Sequence, residues 1–204
     1  MTQGTSPFVL GLTGSIGMGK TTTADMFRDA GIPVWDADDA VSRLYAPGGE
    51  GVAAIGCLVP AAVAHGMVDK EALRQAIAAD PALLSSIEAV MHPLVAADRA
   101  AFLEQARNSA AAVVVLDTPL LFETGAAQTV DAVAVVSTTP EEQRRRVLAR
   151  PGMTEERFQM LLGRQVPDAE KRARADFVID TANHDTARRA VAHILETLES
   201  RTNA

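Results

Sequence analysis

Residues 8–22 read Phe8-Val9-Leu10-Gly11-Leu12-Thr13-Gly14-Ser15-Ile16-Gly17-Met18-Gly19-Lys20-Thr21-Thr22, and within them Gly14 to Thr21 fits G-x-x-x-x-G-K-[ST]. The apolar run ahead of the glycines has the length of a buried strand. Behind them Ala24, Phe27 and Ala30 recur every third residue, which predicts a helix over 21–30. Strand, glycine loop and helix form the setting this motif requires. The glycines let successive backbone N–H groups turn inward onto a phosphate chain, and the positive end of the helix faces the same anions. Lys20 then reaches the β- and γ-phosphates, and the Thr21 hydroxyl ligates Mg²⁺. The chain holds three lysines against sixteen arginines, so a lysine here marks a site that wants a compact ammonium ion. The competing reading is a merely glycine-rich turn between strand and helix.

A length of 204 residues with 48% hydrophobic side chains suits one α/β core carrying insertions. No apolar run approaches a membrane span, and the N-terminus lacks a basic segment followed by an apolar one, so a cytoplasmic protein is expected. The single Cys57 forms no internal disulfide, and no Cys/His cluster suggests zinc. A net charge of −7 argues against a general nucleic-acid binder. Charge is distributed unevenly, however. Residues 140–175 carry nine Arg/Lys and six Asp/Glu, a basic island that fits a small polyanionic ligand better than a long nucleic-acid backbone.

Beyond the first helix, Gly31 is a stop signal and Ile32-Pro33-Val34-Trp35 a second strand, ending in Asp36-Ala37-Asp38-Asp39. Carboxylates at a strand's C-terminal end lie on the edge where such sheets take ligands. Asp36 or Asp38 therefore stands near bound phosphates, or else the aspartates cap the following helix. From Pro47-Gly48-Gly49 to about Arg107 the pattern is helical with turns at His65-Gly66 and Asp80-Pro81, and no clear strand. An excursion of that length reads as an inserted substrate-contacting unit. In it His92 precedes Pro93, serving either as a base or only as part of a helix start. Residues 111–116 form a strand ending in Asp117, a carboxylate placed either to help hold Mg²⁺ or simply to end a strand. Residues 131–137 and 177–180 supply two more strands, and a final helix carries Ala187, Val191, Ile194, Leu195 and Leu198 on one stripe.

In the basic island Pro140-Glu141-Glu142 suits a first helical turn. Arg144, Arg145 and Arg146 fan out by roughly 100° each and cannot all face one ligand, whereas Arg146 and Arg150 lie on one face. Either this is a solvated helix surface, or, with Pro151-Gly152 as a hinge, it is a lid that brings an arginine onto transferring phosphate.

Taken in order, Thr13 to Thr22, Asp36-Ala37-Asp38, His92-Pro93-Leu94, Pro119-Leu120-Leu121-Phe122-Glu123, Gln143 with Arg146 and Arg150, Gln165, and Ala175-Asp176 resemble the dephospho-CoA kinase family over nearly the whole chain. The resemblance implies transfer of the γ-phosphoryl group of ATP to the ribose 3'-hydroxyl of dephospho-CoA, the last step of coenzyme A synthesis. It implies an α/β P-loop NTPase fold, a three-layer sandwich with a five-stranded parallel sheet. The nucleotide-binding core would comprise 1–46, 108–139 and 176–204, the helical CoA-binding insertion 47–107, and the lid 140–175. By the same resemblance Gly14, Gly17, Met18, Gly19, Lys20, Thr21, Thr22 and Arg150 bind ATP. Thr13, Asp38, His92 and Pro93 meet dephospho-CoA, Asp38 faces the acceptor hydroxyl, and Arg146 is the lid arginine. Thr21 and Asp117 are the expected metal ligands. Ser15 stands where many members have a second glycine, and Asn183 is displaced from the position usual after the last strand.

Two rival readings share parts of this pattern. Another small P-loop kinase, acting on a nucleoside monophosphate or a hydroxylated metabolite, would share loop and lid but not the later motifs. A guanine-nucleotide switch would carry Asn-Lys-x-Asp, and no asparagine here is followed by lysine. The expected partners are ATP, Mg²⁺ and dephospho-CoA, with no nucleic acid and no membrane, in a monomer or weak homo-oligomer.

Overall fold

The computed structural model describes residues 6–202. The first strand, β1 (Phe8–Thr13), leads through the glycine loop into α1 (Lys20–Asp29), and β2 (Val34–Asp36) follows. Next come α2 (Ala37–Tyr45), α3 (Glu50–Leu58), the short strands β3 (Val63–Ala64) and β4 (Met67–Val68), α4 (Lys70–Ala79) and the long α5 (Leu83–Asn108). The chain then returns through β5 (Val113–Asp117) and β6 (Ala132–Ser137). After these stand α6 (Pro140–Leu148), α7 (Glu155–Leu162), α8 (Asp168–Ala173), β7 (Phe177–Asp180) and α9 (His184–Thr202). The chain divides into two compact units, one running to Trp35 and resuming at Ala106, the other spanning Asp36–Gln105.

In the first unit five strands form a sheet in the order β2-β5-β1-β6-β7. β1 pairs in parallel with β5 and β6, and β6 pairs in parallel with β7. Parallel strands are covered on both faces, so they read as apolar runs, and β5 and β6 are buried at every position. Their side chains still alternate between two cores. Leu10, Leu12, Val113, Val115, Ala134 and Val136 pack with Phe27 of α1 and Val191, Ile194 and Leu198 of α9. Val133 and Val135 point the other way, onto Leu121 and Phe122. This is the α/β P-loop architecture, with β1 central and its carboxyl end on the edge where such sheets take ligands.

Two aspartates extend the sheet beyond its strands. Val9 N–H donates to Asp131 Oδ2 at 2.7 Å, while Asp131 N–H donates back to the Val9 carbonyl at 2.9 Å. Asp176 repeats the device with Val133, accepting at 2.8 Å and donating at 3.0 Å. The carboxylate supplies an acceptor where the neighbouring strand has not yet begun. That gives Asp176 a scaffold role.

The second unit is helical around Leu44, Ile55, Val68, Leu73, Ile87 and Met91. Its first helix is capped by Asp36, whose Oδ1 accepts from the Asp38 and Asp39 amides at 2.8 and 3.0 Å. Of the two roles open to this aspartate cluster, Asp36 takes the cap. Two expectations change here. A hairpin of β3 and β4 stands where no strand was expected, closed by His65 and Gly66 with φ of 53° and 74°. Positive φ at both central residues is the type I′ pattern that matches hairpin twist, and two-residue strands are too short to show alternation. Pro93 is no helix start either, for it lies inside the 26-residue α5. Losing one backbone donor there is tolerated within a helix fixed by packing on both sides of the proline. No helix among the described residues is long and apolar enough to cross a membrane.

Candidate active site

The glycine loop is shaped by what surrounds it. A Cβ on Gly14 would stand 2.3 Å from Val136 Cγ2 and 2.9 Å from the Val136 carbonyl, so the loop leaves β1 pressed against β6. Gly17, with φ of 79°, is doubly constrained, because a Cβ there would lie 2.5 Å from Val147 Cγ2 on α6. The Met18 side chain is buried, its sulfur accepts from the Thr138 amide at 3.2 Å and its N–H donates to the Ser15 carbonyl at 3.1 Å, so this residue braces the turn of the loop. Helix α1 starts at Lys20 behind Gly19, whose φ is 86°, and has no side-chain cap. Its first amides are the orphan donors that an anion satisfies. Thr21 and Thr22 are exposed on this first turn.

Two cations meet the loop. The Lys20 ammonium is paired with the fully buried carboxylate of Asp117, the last residue of β5. Arg146, on α6, donates from Nη2 to the Thr181 carbonyl at 2.7 Å, from Nη1 to Thr181 Oγ1 at 3.3 Å, and from Nε to Glu142 Oε1 at 2.7 Å. Thr181 in turn donates to the Met18 carbonyl at 2.7 Å. The guanidinium lies so close that a Cβ on Gly19 would be 3.3 Å from its Nη1. Hydrogen bonds from Arg145 and then Arg146 hold the Glu142 carboxyl at about 2, so the residue that orients Arg146 is charged throughout the neutral range.

The neighbouring arginines differ. Arg144 pairs with Glu155 at 2.8 Å, whereas Arg145 pairs at 2.7 Å with Glu142, the carboxylate that Arg146 also meets, so two of the three arginines share a partner and the third turns away. Arg150 is exposed beyond the end of α6 with no side-chain partner among the described residues. Thr13 is fully buried at the end of β1, its hydroxyl donating to the Pro119 carbonyl at 3.1 Å.

In the helical unit Asp38 is exposed on the first turn of α2, and its carboxylate has no protein partner among the described residues. It borders a hollow of about 400 Å³ lined also by Val41, Tyr45, Lys70, Leu73 and Arg74. His92 and Pro93 are exposed on α5. Thus Thr13, the loop, Lys20, Asp117 and Arg146 are assembled on the sheet unit, and Asp38, His92 and Pro93 belong to the helical one.

A divalent cation fits the donor set on the sheet unit. Thr21 offers a hydroxyl and Asp117 a carboxylate, both hard oxygen donors of the kind Mg²⁺ prefers. The described residues hold no group of three His, Cys, Asp or Glu able to cage a metal. Such an ion would take its other ligands from phosphate and water.

Sequence reasoning gave no role to Thr181, which carries Arg146, nor to the pair Glu123–Lys171. Lys171 is fully buried with its Nζ 2.8 Å from Glu123 Oε1, which also accepts from the Val166 amide at 2.9 Å. Burial works against charge on Glu123, yet the bonds from Lys171 and Val166 hold its carboxyl below the ordinary range. The pair fastens α8 to the loop after β5. The only signal for it was Glu123 ending the Pro-Leu-Leu-Phe-Glu motif.

Comparison with known proteins agrees over nearly the whole chain. The family model described as dephospho-CoA kinase matches residues 8–187. A dephospho-CoA kinase of Jannaschia sp. (strain CCS1) is 57% identical over 195 residues, covering 96% of this chain and 99% of that one. The dephospho-CoA kinase of Cereibacter sphaeroides is 54% identical over 198 residues, covering 95% and 99%. Among solved structures, a Thermus thermophilus protein matches with a TM-score of 0.80 at 33% identity, over 95% of this chain and 98% of its own. A dephospho-CoA kinase from Campylobacter jejuni shares the fold, with a TM-score of 0.68 at 17% identity over 95% and 98%.

Proposed function

The chain belongs to the dephospho-CoA kinase family, and from that premise we propose which of its residues carry the reaction. The enzyme uses ATP to phosphorylate the ribose 3'-hydroxyl of dephospho-CoA, giving coenzyme A. The observation that carries the site assignment is the meeting of an uncapped helix start, Lys20 and Arg146 at Gly19. The backbone from Gly14 to Thr22 cradles the ATP phosphates. Lys20 exchanges its bond to Asp117 for the β- and γ-phosphates, and Arg146 and Arg150 neutralise charge on the group in transfer. Mg²⁺, held by Thr21 and Asp117 together with phosphate oxygens, would supply further neutralisation of that charge.

Asp38 is the residue that receives the acceptor. Among the described residues its carboxylate has no protein partner to compete for a hydroxyl. The 3'-oxygen attacks the γ-phosphorus, the bond to ADP breaks, and the hydroxyl proton passes to Asp38. In a loose transition state that proton leaves late, so orienting the hydroxyl outweighs basicity. Residues 47–107 bind dephospho-CoA, with His92 and Pro93 on the contact surface, and residues 140–175 act as a lid that excludes water. Thr13 acts through its bond to Pro119, shaping the edge beside the same substrate. A cytoplasmic monomer or weak homo-oligomer completes the reading.

Incubation with ATP, Mg²⁺ and a panel of dephospho-CoA, nucleoside monophosphates and shikimate, with the products weighed, tests it. A single phosphoryl group gained by dephospho-CoA alone is expected. Preferential phosphorylation of another acceptor overturns the assignment.

A further inference from the structure

The peptide groups on either side of Ile16, in the middle of the phosphate loop, are each held by a glutamine. Gln143, on α6 and 5% exposed, donates from Nε2 to the Ile16 carbonyl at 2.8 Å. Gln165, in the turn after α7, accepts at Oε1 from the Ile16 amide at 3.0 Å. These two residues bracket the arginine-bearing segment 144–164, so both of its ends are tied to one residue of the loop. The partners sit 127 and 149 positions away in sequence, which makes this a feature of the tertiary structure alone.

Peptide planarity turns these two bonds into aim. In a trans peptide the N–H points opposite to the C=O of the same unit. Fixing the Ile16 carbonyl on Gln143 therefore directs the Gly17 N–H away from α6, and that N–H has no protein partner among the described residues. Gln165 does the converse to the preceding peptide, engaging the Ile16 N–H and taking it out of the set available to an anion. Rotation of either peptide would change which amides face the phosphates. Left-handed backbone at Gly17 places no steric barrier of its own against such a rotation.

We infer that Gln143 and Gln165 are positioning residues that fix the phosphate loop in its ATP-receiving form and couple it to both ends of the arginine segment. The inference rests on the reading that this loop takes the ATP phosphates. Neither glutamine touches the reacting atoms. Their effect is on ATP affinity, not on the acceptor.

Three measurements on the full-length enzyme test it, namely ATP affinity by calorimetry, KM for dephospho-CoA, and hydrogen exchange of the Ile16 amide by NMR. Gln165→Leu should weaken ATP binding about tenfold, as loss of one well-placed hydrogen bond does. It should also speed Ile16 exchange at least about tenfold, with the dephospho-CoA KM within about twofold of wild type. Gln165→Glu keeps an acceptor and should keep Ile16 protected. Gln143→Leu should weaken ATP binding by a similar factor of about ten, and Gln143→Glu, whose carboxylate faces a carbonyl, should be worse than Gln165→Glu. Unchanged ATP affinity in both leucine variants overturns the inference, as does an equal rise in both substrates' constants or Ile16 exchange indifferent to residue 165. Lys20→Ala separates the two levels. Wild-type ATP affinity in Lys20→Ala overturns the loop reading itself, whereas affinity lost there but intact in the leucine variants overturns only the clamp.

Discussion

The Lys20 ammonium lies against the Asp117 carboxylate, joining the first residue of α1 to the last residue of β5 beneath the phosphate loop. Because Asp117 is fully buried, the pair sets the position of the lysine before any ligand arrives. A phosphate chain must then compete with Asp117 for it. Lys20→Ala is expected to fold, as circular dichroism would report, and to lose at least about a hundredfold in turnover. Activity within twofold of wild type would remove the lysine from the chemistry.

Asp117→Asn separates the metal role from the lysine role. The amide retains an oxygen for the lysine but gives up the charge that a divalent cation favours. The Mg²⁺ concentration for half-maximal activity should rise about tenfold or more, with chelation abolishing activity in both proteins. An unchanged Mg²⁺ requirement would leave Asp117 as a partner of Lys20 alone.

Much of this site was legible because its signal is local. Gly14, Gly17 and Gly19 stand where a Cβ would collide or φ is positive, so the loop's geometry is written in consecutive residues. The inner strands β5 and β6 were equally visible as apolar runs, since strands covered on both faces need no polar side. What escaped was made of distant partners. Nothing near Gln165 announces Ile16, and nothing near Lys171 announces Glu123, because periodicity reports which face is buried and not what it meets. Pro93 misled for a related reason. Its local chemistry says break, while packing on both sides of it keeps α5 continuous. The capping of α2 by Asp36 was one of two open readings, and only backbone geometry chose between them.

Arg146 is oriented by Glu142 and Thr181, so its contribution depends on a planar fork and not on charge alone. Arg146→Lys should lower kcat by at least about a hundredfold while ATP affinity changes much less. Thr181→Val, which removes the hydroxyl but keeps the carbonyl, should fall between wild type and Arg146→Lys. Equal turnover of Arg146→Lys and wild type would reduce this arginine to a scaffold.

The Glu142 carboxyl, drawn down from 4.5 to about 2, gives a signed pH dependence. A depressed folded-state value means that the charged form stabilises the native state above the ordinary value and that this is lost as pH falls toward the folded one. Melting temperatures of wild type and Glu142→Gln should therefore differ most above pH 5 and converge between about pH 4.5 and 2. A difference that stays constant across that window would show that the charge on Glu142 is not what matters.

Glu123→Gln keeps an acceptor for the Val166 amide but strands the buried Lys171. Unfolding in urea should show a loss of about 3 kcal/mol, in the range for breaking a buried pair by one partner. Adding Lys171→Met should restore much of it, since no charge is then left buried. A double variant no more stable than the single one would mean that the pair contributes through something other than charge compensation.

Asp38→Asn is the most direct test of the central claim, that the Asp38 carboxylate orients the ribose hydroxyl for phosphoryl transfer from ATP. Steady-state kinetics should show kcat reduced by at least about a hundredfold, with KM for ATP and for dephospho-CoA both within about threefold of wild type. Near-normal turnover by a folded Asp38→Asn enzyme would contradict it.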